Sequence, residues 1–379
     1  MTRPVVTIVY NTCVYVVKFR LPLIAALQDA GYDVVVIAPR DDATQTLIDL
    51  GIAHRHIDMS QYGMNPVAEI ATLRQIETLL RELRPVASLH YTIKPNTFGS
   101  IAANRAGVPV LNNIAGAGRA FSGGNPAMRA LVVRLYRWGL KRSHTVLFQN
   151  GDDMALFLRA GAVRKDQCAR IPGSGVDLKA FVPTPLPDGP VRFLFVGRLL
   201  REKGIEEFLR AAAHLIAAAP EGHVQFDVVG EFEPGRAGLD RATLDRLTEP
   251  AEISYHGTVK PDAIKPMMRR ASCVVLPSYY GEGVPRVLLE ACASGRPIIT
   301  TDNVGCRDVV EPGVNGWMVA PRDTAALADA MQAFVDAPRD QRDALAKAAR
   351  QTAETRFDEK IVLAAYLDRL RALAPVETV

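Results

Sequence analysis

Short, nearly continuous apolar runs alternate along the chain with longer stretches in which apolar residues recur every three or four positions. In the first half the runs are residues 5–10, 33–38, 86–90, 108–114 and 145–149, with the polar segment 54–57 also expected as a short strand; in the second they are 192–196, 225–230, 253–257, 273–276 and 297–300. Unbroken apolar runs read as strands buried on both faces, the habit of a parallel sheet. The helical stretches are expected at 22–30, 42–50, 66–84, 97–106 (capped by Asn96), 125–141, 151–160, 205–218, 286–294, 324–335, 339–355 and 357–373. Gly or Pro punctuates many of their ends, and residues 11–20 read as a loop. The alternation predicts an α/β protein with doubly wound parallel sheets.

Val182 to Pro190 carries four prolines and reads as a stiff, extended linker. The expected organisation is a first domain over 1–182, a linker over 183–190, a second domain over 191–356 and a last helical segment over 357–379. A chain of 379 residues with 48% hydrophobic content suits two globular domains. Five scattered cysteines without a Cys-x-x-Cys pair argue for a reducing compartment and against zinc. The histidines form no ligand cluster, so no metal is expected. No signal peptide and no apolar run of about 20 residues is visible, which predicts a cytoplasmic protein, soluble or peripheral.

Charge sharpens this picture. Residues 1–182 carry 21 Lys/Arg against 13 Asp/Glu, and the remainder carries 24 against 28. Between Glu82 and Asp152 there is no acid, but nine bases: Arg84, Lys94, Arg105, Arg119, Arg129, Arg134, Arg137, Lys141 and Arg142. Such a patch wants an anionic partner. No nucleic-acid-binding motif accompanies it, so nucleic acid is excluded as a partner and an anionic membrane surface is favoured. Residues 125–141 are the candidate contact, with Met128, Leu131, Leu135 and Trp138 interleaved with arginines.

Two strand ends carry the candidate chemistry. After residues 273–276 comes Pro277-Ser-Tyr-Tyr-Gly-Glu282-Gly283-Val284-Pro285, then a helix holding Glu290. Backbone amides at Gly283 and Val284, before a helix N-terminus, suit an anion. Glu290, farther along the helix, suits a pair of sugar hydroxyls. After residues 192–196 comes Gly197-Arg198-Leu199, with Lys203-Gly204 following. Arg198 can grip a diphosphate bidentately and Lys203 can act as a point charge.

The Gly-Arg-Leu-x-x-x-Lys-Gly stretch, followed about 80 residues later by Glu-x7-Glu in a Ser-x-x-x-Glu-Gly-x-Pro context, resembles the retaining glycosyltransferases of family 4. The resemblance covers nearly the whole chain and continues through Thr301–Asp308 and Asn315-Gly-Trp317. It implies the GT-B fold, two facing Rossmann-like domains with a C-terminal crossover helix. It also implies a donor site of Arg198, Lys203, Glu282, Gly283, Val284 and Glu290 on the second domain. Arg198, Lys203 and Glu282 are the candidate catalytic residues, Glu282 touching the donor sugar. No cofactor is implied beyond a UDP-sugar as co-substrate.

Phe19-Arg-Leu-Pro22 and Thr92-Ile-Lys-Pro-Asn-Thr-Phe-Gly99 are similar to the branch that extends undecaprenyl-diphosphate-linked amino sugars with N-acetylgalactosamine or galactose. This implies a polyprenyl-diphosphate-linked acceptor on the first domain, with Asn11, Lys18, Arg20, Lys94, Asn96, Gly116 and Gly118 as candidate contacts. It also implies a place on the inner face of the cell membrane. The sequence departs from the family at two points. A Gly-Gly pair usual after the first strand is replaced by Asn11-Thr-Cys13, and Ala115 stands about where many members carry a donor-side His. Two rivals are a nucleotide-sugar 2-epimerase, for which no suitably placed His is seen, and a non-catalytic anion- or membrane-binding protein.

Overall fold

The apolar runs become parallel strands; the central ones are buried along nearly their whole length, while the edge strands Ala53–His56 and Ile253–Tyr255 stay partly exposed. The structure is a computed structural model that describes residues 3–61, 65–118, 126–233 and 237–373. Arg119, Asn125 and residues 234–236 lie outside the described residues. The chain divides into two units, Met1–Ser174 with Lys360–Val379, and Gly175–Glu359.

The first unit holds a seven-stranded sheet in the order β3-β2-β1-β4-β5-β6-β7. Its strands are β1 (Val5–Val9), β2 (Asp33–Ala38), β3 (Ala53–His56), β4 (Ala87–Tyr91), β5 (Val110–Ile114), β6 (Thr145–Phe148) and β7 (Cys168–Arg170). All pairings are parallel. Strand order reverses between β1 and β4, so the loops leaving their carboxyl ends diverge there and open a crevice. The final helix, Glu359–Leu373, packs Val362, Tyr366 and Leu370 into the core of this unit.

Several core-facing strand residues are polar, and many of their polar atoms pair with one another, although Asn112 Oδ1 and Asn113 Oδ1 do not. Thr7 donates to Ser88, Ser88 meets His90 Nε2 at 2.8 Å, and His90 Nδ1 lies 2.9 Å from the Pro95 carbonyl. Asn112 donates to Ser100 and Asn96, each at 2.8 Å. Burial pushes the His90 pKa down to about 3.

The second unit holds a six-stranded parallel sheet in the order β10-β9-β8-β11-β12-β13. Its strands are β8 (Val191–Val196), β9 (Val224–Val229), β10 (Ile253–Tyr255), β11 (Cys273–Leu276), β12 (Ile298–Thr301) and β13 (Gly316–Val319). Here the order reverses between β8 and β11. The proline-rich stretch expected as a linker lies inside this unit. The fully buried Arg296 guanidinium gathers the carbonyls of Thr184, Met268 and Arg269, and the Thr184 hydroxyl as well.

Two local expectations are corrected. Residues 11–20 are not a loop but contain a helix, Cys13–Phe19. Its β-branched sequence disguises it, and its N-terminus is held from outside. Asp41 accepts from Thr12 Oγ1 at 2.5 Å and from the amides of Cys13 and Val14 at 2.7 and 3.2 Å. Asn96 does not cap a helix. It sits within a wide turn, Pro95–Gly99, that leads into the helix Ser100–Ala106, and it is 1% exposed. Its side chain donates to the Asn113 carbonyl. The pattern also missed the helices Arg241–Leu247 and Pro261–Arg270, the latter with Pro266 inside it.

Candidate functional site

The reversal of strand order in the second unit brings together the loops that follow β8 and β11. Lys203, at the end of the first loop, meets Glu282 in the second, Nζ to Oε1 at 2.5 Å. The pair is mostly enclosed, with side-chain exposures of 12% and 20%. Ser278 Oγ donates to the same carboxylate oxygen at 3.2 Å, and Lys203 Nζ lies 5.3 Å from the centre of the Tyr280 ring. Residues 79 positions apart in sequence thus form one charged, hydrogen-bonded cluster at a crevice mouth.

Glycine makes this closeness possible at two points. Gly204 has φ +77°, and a Cβ there would lie 2.2 Å from the Pro277 carbonyl oxygen. Gly305 has φ +79°, and a Cβ there would lie 1.8 Å from the Gly283 oxygen. Any side chain at either position would force the loops apart. The end of β12 fixes the second loop from behind. Thr300 donates to the Leu276 carbonyl at 2.6 Å, Thr301 donates to the Ser278 carbonyl, and Asn303 donates to the Tyr280 carbonyl at 3.0 Å. Tyr280 and Thr300 were not singled out from sequence, and Ser278 and Asn303 only as members of longer motifs; the coming together of strand ends gives all four their roles.

The other expected donor-side residues lie on the same rim. Val284 is buried, and among the described residues neither its amide nor that of Gly283 meets a hydrogen-bond acceptor. They precede the helix Arg286–Ala293, whose N-terminus has no side-chain cap. Glu290 is neither solvated nor capping: Arg286 Nε donates to it at 2.9 Å and its side chain is 15% exposed. Arg198 is more open and pairs with Glu233 at 2.9 Å. The site is therefore rich in donors and cations whose present partners are side-chain carboxylates, groups that a ligand anion can replace. Among the described residues no group of three or more metal-ligating side chains occurs.

In the first unit the expected acceptor-side residues also follow strand carboxyl ends, but they differ in state. Lys94 is 11% exposed and pairs with the buried Glu69 at 2.6 Å. With Asn96 in the polar core, both spend their polar atoms inside the unit. Lys18 is exposed, its Nζ 5.4 Å from the Phe19 ring centre. Gly116 and Gly118 have φ of +131° and +65° in the loop after β5. Asn11 is half-buried, and Arg20 is 6% exposed with its guanidinium 4.0 Å from the Tyr91 ring centre.

The basic interval also looks different in space. Arg105 approaches Glu77 at 3.8 Å, and Arg137 donates to the Ala160 carbonyl at 2.8 Å. On the helix Pro126–Leu140, Val132, Tyr136, Gly139 and Leu140 face the core, while Met128, Leu131 and Trp138 are exposed at 47%, 44% and 56%. Arg134, Lys141 and Arg142 are exposed beside or just beyond that apolar stripe. Among the described residues no helix is long and apolar enough to cross a membrane.

Two family models match the chain, a glycosyl transferase 4-like domain over residues 17–173 and the glycosyl transferases group 1 over residues 190–337. The N,N'-diacetylbacillosaminyl-diphospho-undecaprenol alpha-1,3-N-acetylgalactosaminyltransferase of Campylobacter jejuni is 28% identical over 92% of this chain and 93% of its own length. A glycogen synthase of Mycobacterium tuberculosis is 33% identical over 47% of this chain and 41% of its own. In fold, the chain is similar to a sucrose-phosphate synthase of Thermosynechococcus elongatus, with a TM-score of 0.79, 20% identity and coverage of 98% and 99% of the two chains. It is also similar to HepE of Anabaena in complex with UDP-glucose, at a TM-score of 0.75, 18% identity and coverage of 97% and 99%. The chain belongs to the group 1, family-4-like glycosyltransferases of GT-B fold.

Proposed function

We propose that the protein moves a sugar, N-acetylgalactosamine or a related hexose, from a UDP-sugar to a polyprenyl-diphosphate-linked saccharide with retention of configuration. The observation that carries this reading is the Lys203–Glu282 pair at the strand-order reversal of the second unit. The donor diphosphate takes Lys203, Arg198 and the Gly283 and Val284 amides. Glu290 holds the ribose and Glu282 turns to the donor sugar. Leaving-group charge is met by fixed cations and dipoles, so the transfer needs no metal. The likeness to the Campylobacter enzyme, whose name states an undecaprenol-diphosphate acceptor, supports the acceptor class.

The acceptor reading places the protein on the inner face of the cell membrane, reached through the exposed stripe and cations of the helix Pro126–Leu140. The test is transfer of labelled sugar from a panel of UDP-sugars to a polyprenyl-diphosphate-linked acceptor, with EDTA throughout and the product anomer read by NMR. An α-linked product from an α-donor is expected. No transfer from any UDP-sugar, or an inverted product, would reject the reading.

A further inference from the structure

Arg20 is a buried cation of the first unit that hydrogen-bonds the Tyr10 side chain but, among the described residues, meets no carboxylate. It is 6% exposed, yet no carboxylate among the described residues pairs with it. Its surroundings are aromatic: the Tyr91 ring at 4.0 Å, with Tyr10 stacked on Tyr91 at 5.2 Å between centres. Its Nε is enclosed without a hydrogen-bond partner, and so are Asn11 Oδ1 and Thr92 Oγ1. Buried polar groups are almost always paired, and an unpaired buried charge is strongly unfavourable. Asn11 follows β1, Thr92 follows β4, and the Arg20 guanidinium lies over the ring of Tyr91 at the end of β4, so these orphans gather where strand order reverses between β1 and β4, the place where open α/β sheets take ligands.

A second, independent feature marks the same point. Thr92, the first residue after β4, has φ +65°. A β-branched side chain in that region is strained, and such strain persists mainly where function holds it. Beside the crevice, apolar side chains stay exposed: Val14 and Tyr15 at 42% each and Ile93 at 44%. Tyr15 reaches the Tyr10 ring at 6.2 Å between centres, which ties this surface to the aromatic cluster around Arg20.

We propose that Arg20, Asn11 and Thr92 form an anion subsite for the phosphate of a diphosphate-linked amphiphile, whose adjoining apolar part lies on Val14, Tyr15 and Ile93. This rests on the acceptor reading above and names the group of the acceptor that the first unit grips. The anion supplies the counter-charge that the protein omits. Asn11, by turning its amide, and Thr92, through its hydroxyl, donate to the same oxygens. An aromatic–apolar rim around a cationic floor fits a phosphate carried on a lipid better than a free phosphate.

The test uses the full chain with Arg198→Ala and Lys203→Ala, to weaken anion binding in the second unit, and calorimetric titration in EDTA. The probes are farnesyl diphosphate and inorganic diphosphate. Farnesyl diphosphate should bind at least tenfold more tightly than inorganic diphosphate. Adding Arg20→Met should weaken it by thirtyfold or more, and Arg20→Lys by less. Without ligand, Arg20→Met should melt no lower than its parent, because it removes a buried charge that no carboxylate pairs and keeps an apolar side chain against the Tyr91 ring. Thr92→Gly, which relieves strain, should melt higher and bind several-fold more weakly.

Undiminished binding in Arg20→Met would overturn the subsite. So would a collapsed fold in Arg20→Met together with unchanged binding in Thr92→Gly, which would make Arg20 a structural strut. Equal affinity for the two probes would overturn the lipid-linked part. UDP binding by the protein with Arg198 and Lys203 intact is measured alongside; its absence would count against the transferase reading and leave the subsite result standing by itself.

Discussion

Lys203 already holds an anion of its own. Glu282 occupies the ammonium at 2.5 Å, so a donor diphosphate must displace a carboxylate that is four-fifths enclosed. Lys203→Ala should weaken UDP binding by about 10- to 100-fold, the equivalent of a charge-assisted hydrogen bond of about 1.5–3 kcal/mol. Glu282→Gln should do the opposite in titration, binding UDP several-fold more tightly because the competitor has lost its charge, while turnover falls. Unchanged UDP affinity in both variants would show that the pair is not at the donor diphosphate. His90 sets a second expectation at this scale. Its native pKa is pulled down to about 3, and the unfolded group titrates near 6.5. Stability from the neutral native ring is thus complete above about pH 6.5 and is lost as pH falls, by roughly 1.4 kcal/mol per unit down to about pH 3. In denaturant titrations, the deficit of His90→Gln relative to the native protein should shrink by about 2 kcal/mol between pH 7 and pH 5. A deficit independent of pH would mean that the native ring takes up its proton as readily as the unfolded one, so that burial does not hold His90 neutral.

Elements were legible where one physical signal governed them and illegible where a distant residue did. Most strands needed only apolar runs, but the short edge strands β7 and β13 were not expected from them. The helix Cys13–Phe19 needed Asp41, 28 residues beyond Cys13, and no window around Val14 to Val17 could show it. The basic interval without acids was a true reading of sequence but not of space, because the neighbouring helix Pro66–Leu83 supplies Glu69 to Lys94 and Glu77 to Arg105. What remains is concentrated on the helix Pro126–Leu140. That helix docks through Gly139, where a Cβ would lie 2.8 Å from the Thr97 Cα and carbonyl oxygen. Gly→Ala inside a helix ordinarily stabilises by up to about 1 kcal/mol. Gly139→Ala should instead destabilise by about 1–3 kcal/mol, since backbone must move to admit the methyl. Denaturant midpoints decide the sign. On the outer face, Leu131→Ser with Trp138→Ser should cut flotation with anionic vesicles at least tenfold and leave the melting temperature nearly unchanged, because both side chains are about half exposed. Equal flotation of the variant and the parent would remove this helix from the membrane.

At the scale of the whole chain, two sheets reverse their strand order once each, and each reversal collects the residues that the motif spacing had singled out: Arg20 and Asn11 in one unit, Lys203 and Glu282 in the other. The α/β alternation made that architecture readable, because parallel strands must place their carboxyl-end loops on one rim. The burial of Arg296 against Thr184 was not readable, since a proline-rich stretch looks like a linker until a distant guanidinium is seen to hold its carbonyls. The division into units carries a consequence for ligand binding. The residues proposed for the donor all lie within Gly175–Glu359, so on that reading UDP should act on that unit first. At 100 times its dissociation constant a ligand adds about 2.7 kcal/mol. For a unit of this size that raises the midpoint by about 5–10 °C. If thermal scans resolve two transitions, UDP should move the one belonging to the second unit, and the other should stay in place. EDTA should leave the shift intact, and Lys203→Ala should remove most of it. A shift that EDTA abolishes would require a metal in the donor site, and a shift that survives Lys203→Ala would move the diphosphate away from the β8–β11 reversal.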